Sequence, residues 1–308
     1  MSNFVELKNN LPVSEIGGKA YSLSVLLKNG FNVPRGFVVT SSAFFDFSRY
    51  NDLLERIQKL ASEITEDNFK EKSAQAKDLI LKGQIPGNIA SEINGFLNRL
   101  GAKYVSIRSS AVSEDSLKAS FAGQFDTFLN IKADSPLVLE NVKRCWASLF
   151  NERAIAYRLK KGIPHSEGIA VVVQAMIAAQ ISGIIFTVHP TDEKRLLVEA
   201  SYGIGDIVVG GNVEPDDFTV DRNALEIVER KIGKKNKMSI IENKEIKLVN
   251  VRRELHGKQV LPDDKIKEIA EIGLKVERIF NYPQDIEWCL FNSKLWLLQS
   301  RAITGQTK

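Results

Sequence analysis

The stretch DIEWCLFNSKLWLLQSR (285–301) decides how the end of the chain folds. Its residues alternate in character on either side of a polar break, Asn292, Ser293 and Lys294. Alternation of period two marks strands, whose side chains point to opposite faces in turn. Asp285 and Glu287 therefore share a face, and so do Gln299 and Arg301. The break reads as a three-residue hairpin loop. That length pairs Phe291 with Leu295, Glu287 with Gln299 and Asp285 with Arg301, which puts all four polar groups on one face. Ile286, Trp288, Leu290, Trp296, Leu298 and Ser300 then take the other, mostly apolar face. A two-residue loop would turn Gln299 and Arg301 away from the acids, so the expectation rests on an odd register. Such a polar face is either a site or a surface hairpin with a cross-strand salt bridge, and this stretch alone leaves both open.

Around that hairpin the 308-residue chain is globular in composition, 44% hydrophobic and 26% charged. The length holds one large domain or two ordinary ones. A net charge of +4 argues against a dedicated nucleic-acid binder but not against a small anionic ligand. Cys145 and Cys289 are the only cysteines. They exclude a disulfide framework or a four-cysteine zinc site and suit a reducing compartment. MSNFVELKNN (1–10) lacks the apolar core of a signal peptide, and GIAVVVQAMIAA (168–179) is too short to span a bilayer. The expectation is a soluble, cytoplasmic protein with neither nucleic acid nor membrane as partner.

Strand and helix patterns interleave along the whole chain, which gives a mixed α/β class. GGKAYSLSVLLKNG (17–30) has helical spacing and a glycine stop. A strand in VPRGFVV leads to a helix capped by Ser41 or Ser42. Residues 50–100 read as amphipathic helices. KYVSIRSSA (103–111) is a strand entering a serine-rich turn, and QFDTFLNI (124–131) is another strand. Residues 135–162 read as one long helix. Two buried strands follow, then a glycine-rich region (201–211), basic hairpins and a helix over 262–280 headed by Asp263 or Asp264.

Several residues on this frame suit an anion. Gly17, Gly18 and Lys19 precede a helix, where glycines permit close approach of a phosphate and the lysine adds a charge. The P-loop spacing is missing, so a turn with a surface lysine remains the plainer alternative. Arg108 lies on a strand, with Ser109, Ser110 and Ser113 after it. A buried arginine needs a partner, either phosphate oxygens or a structural pair with Glu114 or Asp115. Gly123 and Thr127 offer a close-approach position and a hydroxyl. Gln174 interrupts an apolar strand with an amide that could read the edge of adenine. Asp206 lies among Gly203, Gly205, Gly210 and Gly211, a loop able to close over a ligand. His165, His189 and His256 stand at no metal-ligand spacing and read as surface or structural groups. The basic run KIGKKNK (231–237) has no interleaved aromatics and reads as a solvated hairpin. Lys19 and Arg108 as cations, Glu287 as an acid, and Gln174 and Gln299 as amides form the set that a Mg-nucleotide requires.

The order of these motifs resembles the ATP-binding domain of the phosphoenolpyruvate synthase, pyruvate phosphate dikinase and rifampin phosphotransferase family. The likeness covers nearly the whole chain: GGKAYSLSVLLKNGFNVPRGFVVTSSAF, VSIRSSAVSEDSLKASFAGQFDTFLNI, SLFNERAIAYR, VVVQAMIAAQISGIIFTVHP, YGIGDIVVGGNVEPDDFTV and PQDIEWCLFNSKLWLLQSRAIT. The resemblance implies an ATP-grasp-like fold of two lobes, 1–174 and 175–308, with ATP and Mg²⁺ as ligands held between them. It implies phosphate contacts for Lys19 and Arg108, a phosphate-region lining of Gly123 and Thr127, and Gln174 near the adenine. Glu287 and Gln299 would hold Mg²⁺, and Arg301 would touch the terminal phosphates. Three positions depart from the family pattern: Ala20 where a second small glycine is usual, His189 where an acid or Asn is common, and Asp206 for Glu.

Relatives of this type continue into a swivelling phosphohistidine domain, and no histidine here has that context. The resemblance therefore implies an ATP-side kinase component whose nucleophile comes from another chain or a further segment, as in a split system like phenylphosphate synthase. A rifampin phosphotransferase-like subunit is an alternative. So is a non-catalytic ATP-sensing module, although the intact set of Lys19, Arg108, Glu287, Gln299 and Arg301 speaks against it.

Overall fold

The computed structural model describes residues 2–9, 11–111, 123–163, 165 and 168–303. The chain forms two compact units, Met1–Val25 with Arg35–Met176, and Leu26–Pro34 with Ile177–Lys308. The short segment 26–34 goes with the second unit. There Asn32 donates to the Leu295 carbonyl at 3.1 Å and accepts from the Leu297 amide at 2.8 Å.

In the first unit the chain runs β1 (Phe4–Glu6), α1 (Val13–Lys28), β2 (Gly36–Val39) and α2 (Ser41–Tyr50). Then come α3 (Leu54–Ser62), α4 (Phe69–Lys82), α5 (Gly87–Leu100), β3 (Tyr104–Ala111) and β4 (Thr127–Lys132). The unit closes with α6 (Ser135–Ala147), α7 (Glu152–Lys161) and β5 (Ile169–Ala175). The sheet order is β1-β2-β5-β3-β4, and every neighbouring pair is antiparallel. Its core gathers Phe37, Phe47, Phe150, Val171 and Val173 with Trp146, whose ring lies 4.9 Å from that of Phe47.

Four local expectations are corrected here. Helix α1 begins before the glycines and bends at Gly17, whose φ of 74° no helix tolerates. The strand β3 runs through both Ser109 and Ser110, so no turn begins there. The long helix expected over 135–162 is two helices joined by a 3₁₀ turn at Ser148–Phe150. Leu149 and Phe150 are buried at the break, and Asn151 is extended, with its side chain bound to Asp126 and Lys77. Tertiary bonds outcompete helical continuation at that point. The head of α2 is Thr40 rather than a serine, and it makes no side-chain cap.

The second unit contains β6 (Ile181–Phe186), β7 (Arg195–Tyr202), α8 (Asp206–Val209), β8 (Asp216–Asp221) and β9 (Ile227–Lys231). It continues through β10 (Lys237–Glu242), β11 (Glu245–Asn250), α9 (Asp263–Phe280), β12 (Gln284–Phe291) and β13 (Lys294–Ala302). Six strands form an antiparallel sheet in the order β13-β12-β6-β7-β8-β9, and β10-β11 is a separate ribbon. Helix α9 lies against β6, β7, β8 and β12, with Gly273 over Ile185. It is headed by Pro262, and both expected caps, Asp263 and Asp264, fall in its first turn, where their charge suits the helix dipole.

The turn of the β12–β13 hairpin differs from the sequence expectation. It has two residues, Asn292 (φ 49°) and Ser293 (φ 60°), and Lys294 pairs with Phe291. Two left-handed residues make the tight turn that matches strand twist. Alone, this would have turned Gln299 and Arg301 to the wrong face. A bulge intervenes: Trp288 pairs with Leu297, yet Glu287 pairs with Gln299, so Leu298 is the extra residue. Glu287–Gln299 and Asp285–Arg301 are therefore partners on one face after all. Beyond the bulge the pattern inverts. Leu295 and Leu297 join Ile286, Trp288 and Leu290 on the face toward α9, while Trp296 pairs with Cys289 on the polar side.

Candidate functional site

In the first unit, three consecutive residues of β3 bring the cationic groups into order. Arg108 is half-buried and pairs across the sheet with Thr127 on one side and Val172 on the other. The Ser109 carbonyl accepts from Lys19 Nζ at 2.9 Å, and Lys19 is only 5% exposed. Ser110 Oγ accepts from the Ala20 amide at 3.1 Å and donates to the Ile16 carbonyl at 2.8 Å. Gly17 closes the contact, since a Cβ there would overlap the Ser110 carbonyl. What Gly17 approaches closely in this structure is therefore the backbone of β3. Ser109 Oγ donates to the Asp126 carbonyl at 3.1 Å, which fixes the segment just before Thr127. Asn151 and Arg153 hold the Asp126 carboxylate from α7 and its head.

Gly123 has a φ of 66° and is exposed. Gln174, 2% exposed, sits on β5 with Gly36 of β2 and Ser106 of β3 as its neighbours. Ser113, Glu114 and Asp115 lie outside the described residues.

In the second unit, strand register builds a row across the sheet: Gln299, Glu287, Ile184, Glu199, Asp217 and Lys231. One step along, Arg301 donates from Nε and Nη2 to Asp285 Oδ2 at 2.8 and 2.6 Å. Two bonds to one buried carboxylate oxygen fix the guanidinium plane. Asp285 is 7% exposed, and burial pushes its carboxyl up against the opposing pull of Arg301. Burial, and then the charges of Asp217 and Asp285, raise the Glu199 carboxyl to about 7. Burial raises Asp217 as well. This face is thus an electronegative strip with an arginine at one end. Glu199 and Asp217 were not singled out from the sequence. Each is a polar residue in an alternating strand, but only the pairing of β7 and β8 with β6 aligns them with Glu287.

The glycine-rich loop is anchored to β10. The Ile204 amide donates to the Ser239 carbonyl at 2.9 Å, and Ser239 Oγ donates to Asp206 Oδ2 at 3.1 Å. Ile207 and Val208 of α8 cover Ile184 in the middle of the row. His189, where the family pattern commonly has an acid or Asn, accepts from the Thr191 amide at 3.2 Å and serves a tight turn. His165 accepts from Arg158 Nε at 3.1 Å, and His256 bonds to the Val251 carbonyl at 2.9 Å. The basic run is not uniformly solvated. Lys235 is fully buried, ion-paired to Asp216 and bonded to the Gly233 carbonyl at 2.8 Å. A cavity of about 470 Å³ lies beside the hairpin turn, against Phe31, Ile272 and Leu295, and no expected ligand-binding residue lines it.

No helix among the described residues is long and apolar enough to cross a membrane. The fold and the two groups of polar residues define a mixed α/β protein of two units, each with its own antiparallel sheet and its own charged cluster. The chain belongs to the family of the pyruvate phosphate dikinase AMP/ATP-binding domain, whose model matches residues 13–308. It is 42% identical over 299 residues to a probable phosphoenolpyruvate synthase of Methanothermobacter thermautotrophicus, covering 94% of this chain and 44% of that protein. It is 36% identical over 303 residues to rifampicin phosphotransferase of Bacillus subtilis, covering 95% of this chain and 34% of that one. The chain thus spans less than half the length of these curated relatives. Among solved structures, the D-alanine–D-alanine ligase of Coxiella burnetii aligns over 96% of this chain and 50% of its own, at 11% identity and a TM-score of 0.34, too slight a likeness to bear on the argument.

Proposed function

We propose that the chain is the ATP-binding component of a dikinase-type phosphotransferase, most like phosphoenolpyruvate synthase. It binds Mg-ATP for phosphoryl transfer to a histidine on a swivel domain of another chain or a further segment. The observation that carries the reading is the hairpin register. In a chain of this family, it puts Glu287 and Gln299 side by side, next to an Arg301 already oriented by Asp285.

The donor set suits magnesium. Glu287 and Gln299 offer two hard oxygen donors, paired across the hairpin. That fits an ion that keeps waters and takes phosphate oxygens as further ligands. When bound, it would neutralise charge on the phosphates. Lys19 and Arg108 add positive charge to the phosphates, and Gly123 and Thr127 line that region. Gln174 reads the adenine edge, and Arg301 meets the terminal phosphates. The histidine nitrogen attacks the β-phosphorus, the bond to the bridging α–β oxygen breaks, and AMP leaves. The histidine then carries a pyrophosphoryl group; water takes its outer phosphoryl as inorganic phosphate, and the inner one passes to the acceptor. The chain's share is positioning and charge neutralisation.

Phosphorus NMR of ATP and Mg²⁺ with the purified chain tests this, with and without an added phosphohistidine domain of a phosphoenolpyruvate synthase. AMP that forms only with the added domain supports the reading. ATP that binds but is not consumed in either case favours a sensing module. Arg108→Ala and Glu287→Ala should each abolish AMP formation while leaving the circular dichroism spectrum unchanged, and full turnover in either would refute the site.

A further inference from the structure

We infer that Ser110 is a positioning residue that sets the Lys19 ammonium for its phosphate. The inference rests on the reading of Lys19 as a phosphate contact and adds a residue to which that reading gives no role. Lys19 sits one position before Ala20, and both are attached to the same end of β3. The side chain of Lys19 is bonded to the Ser109 carbonyl, and the backbone of Ala20 to Ser110 Oγ. The same hydroxyl donates to Ile16 on the far side of the Gly17 bend.

Ser110 Oγ therefore spans the bend, with one bond to the chain before Gly17 and one to the chain after Lys19. Gly17, at φ 74°, lets the two backbones approach this closely. Ser110 is fully buried, so water does not replace these bonds if the hydroxyl is removed. Alternation along the strand explains why one segment does so much. Arg108 and Ser110 share a face, while the Ser109 carbonyl points along the sheet toward Lys19. Ser110 itself never meets the nucleotide. Its effect reaches phosphate through the bend and Lys19.

A comparison of two ligands separates positioning from mere folding. Titration calorimetry would measure ATP with Mg²⁺, and adenosine, against wild type, Ser110→Ala, Lys19→Met and the double variant. Ser110→Ala should weaken ATP about 10-fold, from the loss of two buried hydrogen bonds. It should leave adenosine within about two-fold and add nothing further in the Lys19→Met background. Equal losses for ATP and adenosine, or losses that add to those of Lys19→Met, would overturn the inference. If Lys19→Met itself leaves ATP affinity unchanged, the phosphate role of Lys19 fails and the inference goes with it. Should Ser110→Ala not fold, Ser110→Cys keeps a weak donor of similar size. Its ATP-to-adenosine affinity ratio should fall several-fold, and an unchanged ratio would refute the proposal.

Discussion

Replacing Glu199 by glutamine should stabilise this protein, and only above mildly acid pH. Glu199 stands in the middle of the electronegative row, two strands from Glu287, with Asp217 beside it on β8. Its carboxyl is raised from 4.5 to about 7, first by burial and then by Asp217 and Asp285. A carboxyl raised in the folded state binds its proton more tightly there than in the unfolded chain. Stability is then undiminished below about pH 4.5 and falls as pH rises toward 7, where the folded group ionises at last. Each pKa unit corresponds to about 1.4 kcal/mol, so the full shift would give about 3 kcal/mol. Glu199 is only half-buried, and screening reduces the expected penalty to roughly 1–2 kcal/mol. Glutamine mimics the protonated acid and removes the dependence. Urea unfolding of wild type and Glu199→Gln at several values between pH 4.5 and 8 isolates Glu199 with its coupling to Asp217 and Asp285, because titrating groups distant from it cancel in the difference. The variant should match wild type at pH 4.5 and exceed it by roughly 1–2 kcal/mol at pH 8. A difference that stays flat with pH, or a variant less stable at pH 8, would show that the row does not hold Glu199 in this way.

Lys235→Met should destabilise the second unit by about 3–5 kcal/mol in chemical denaturation, because Asp216 is left buried without its cation. Lys231→Ala, on a 63% exposed side chain, should change stability by less than about 1 kcal/mol, and equal effects of the two would refute the distinction. Gly17→Ala should cost at least about 2 kcal/mol or prevent folding, as it adds a Cβ against Ser110 to a residue at positive φ. A thermal midpoint within about two degrees of wild type would refute that close approach.

Period and punctuation were enough to read the mixed class, the helices of 50–100, and the strands that end the chain. Alternation depends only on the geometry of an extended backbone, so residues two apart share a face wherever the strand lies. Asp285 with Glu287, and Gln299 with Arg301, were legible for that reason. The link across the hairpin needed more than alternation. The turn has two residues rather than three, and the facing of Glu287 and Gln299 is restored by a bulge at Leu298 that no local signal marks. Bulges answer to the packing of both strands, here Leu295, Leu297 and Trp288 toward α9. The same holds for Asp216 and Lys235, 19 residues apart, and for the lining up of Glu199, Asp217 and Glu287. A sequence names the polar residues of a strand, but burial and register decide which of them meet, because both depend on which strands become neighbours.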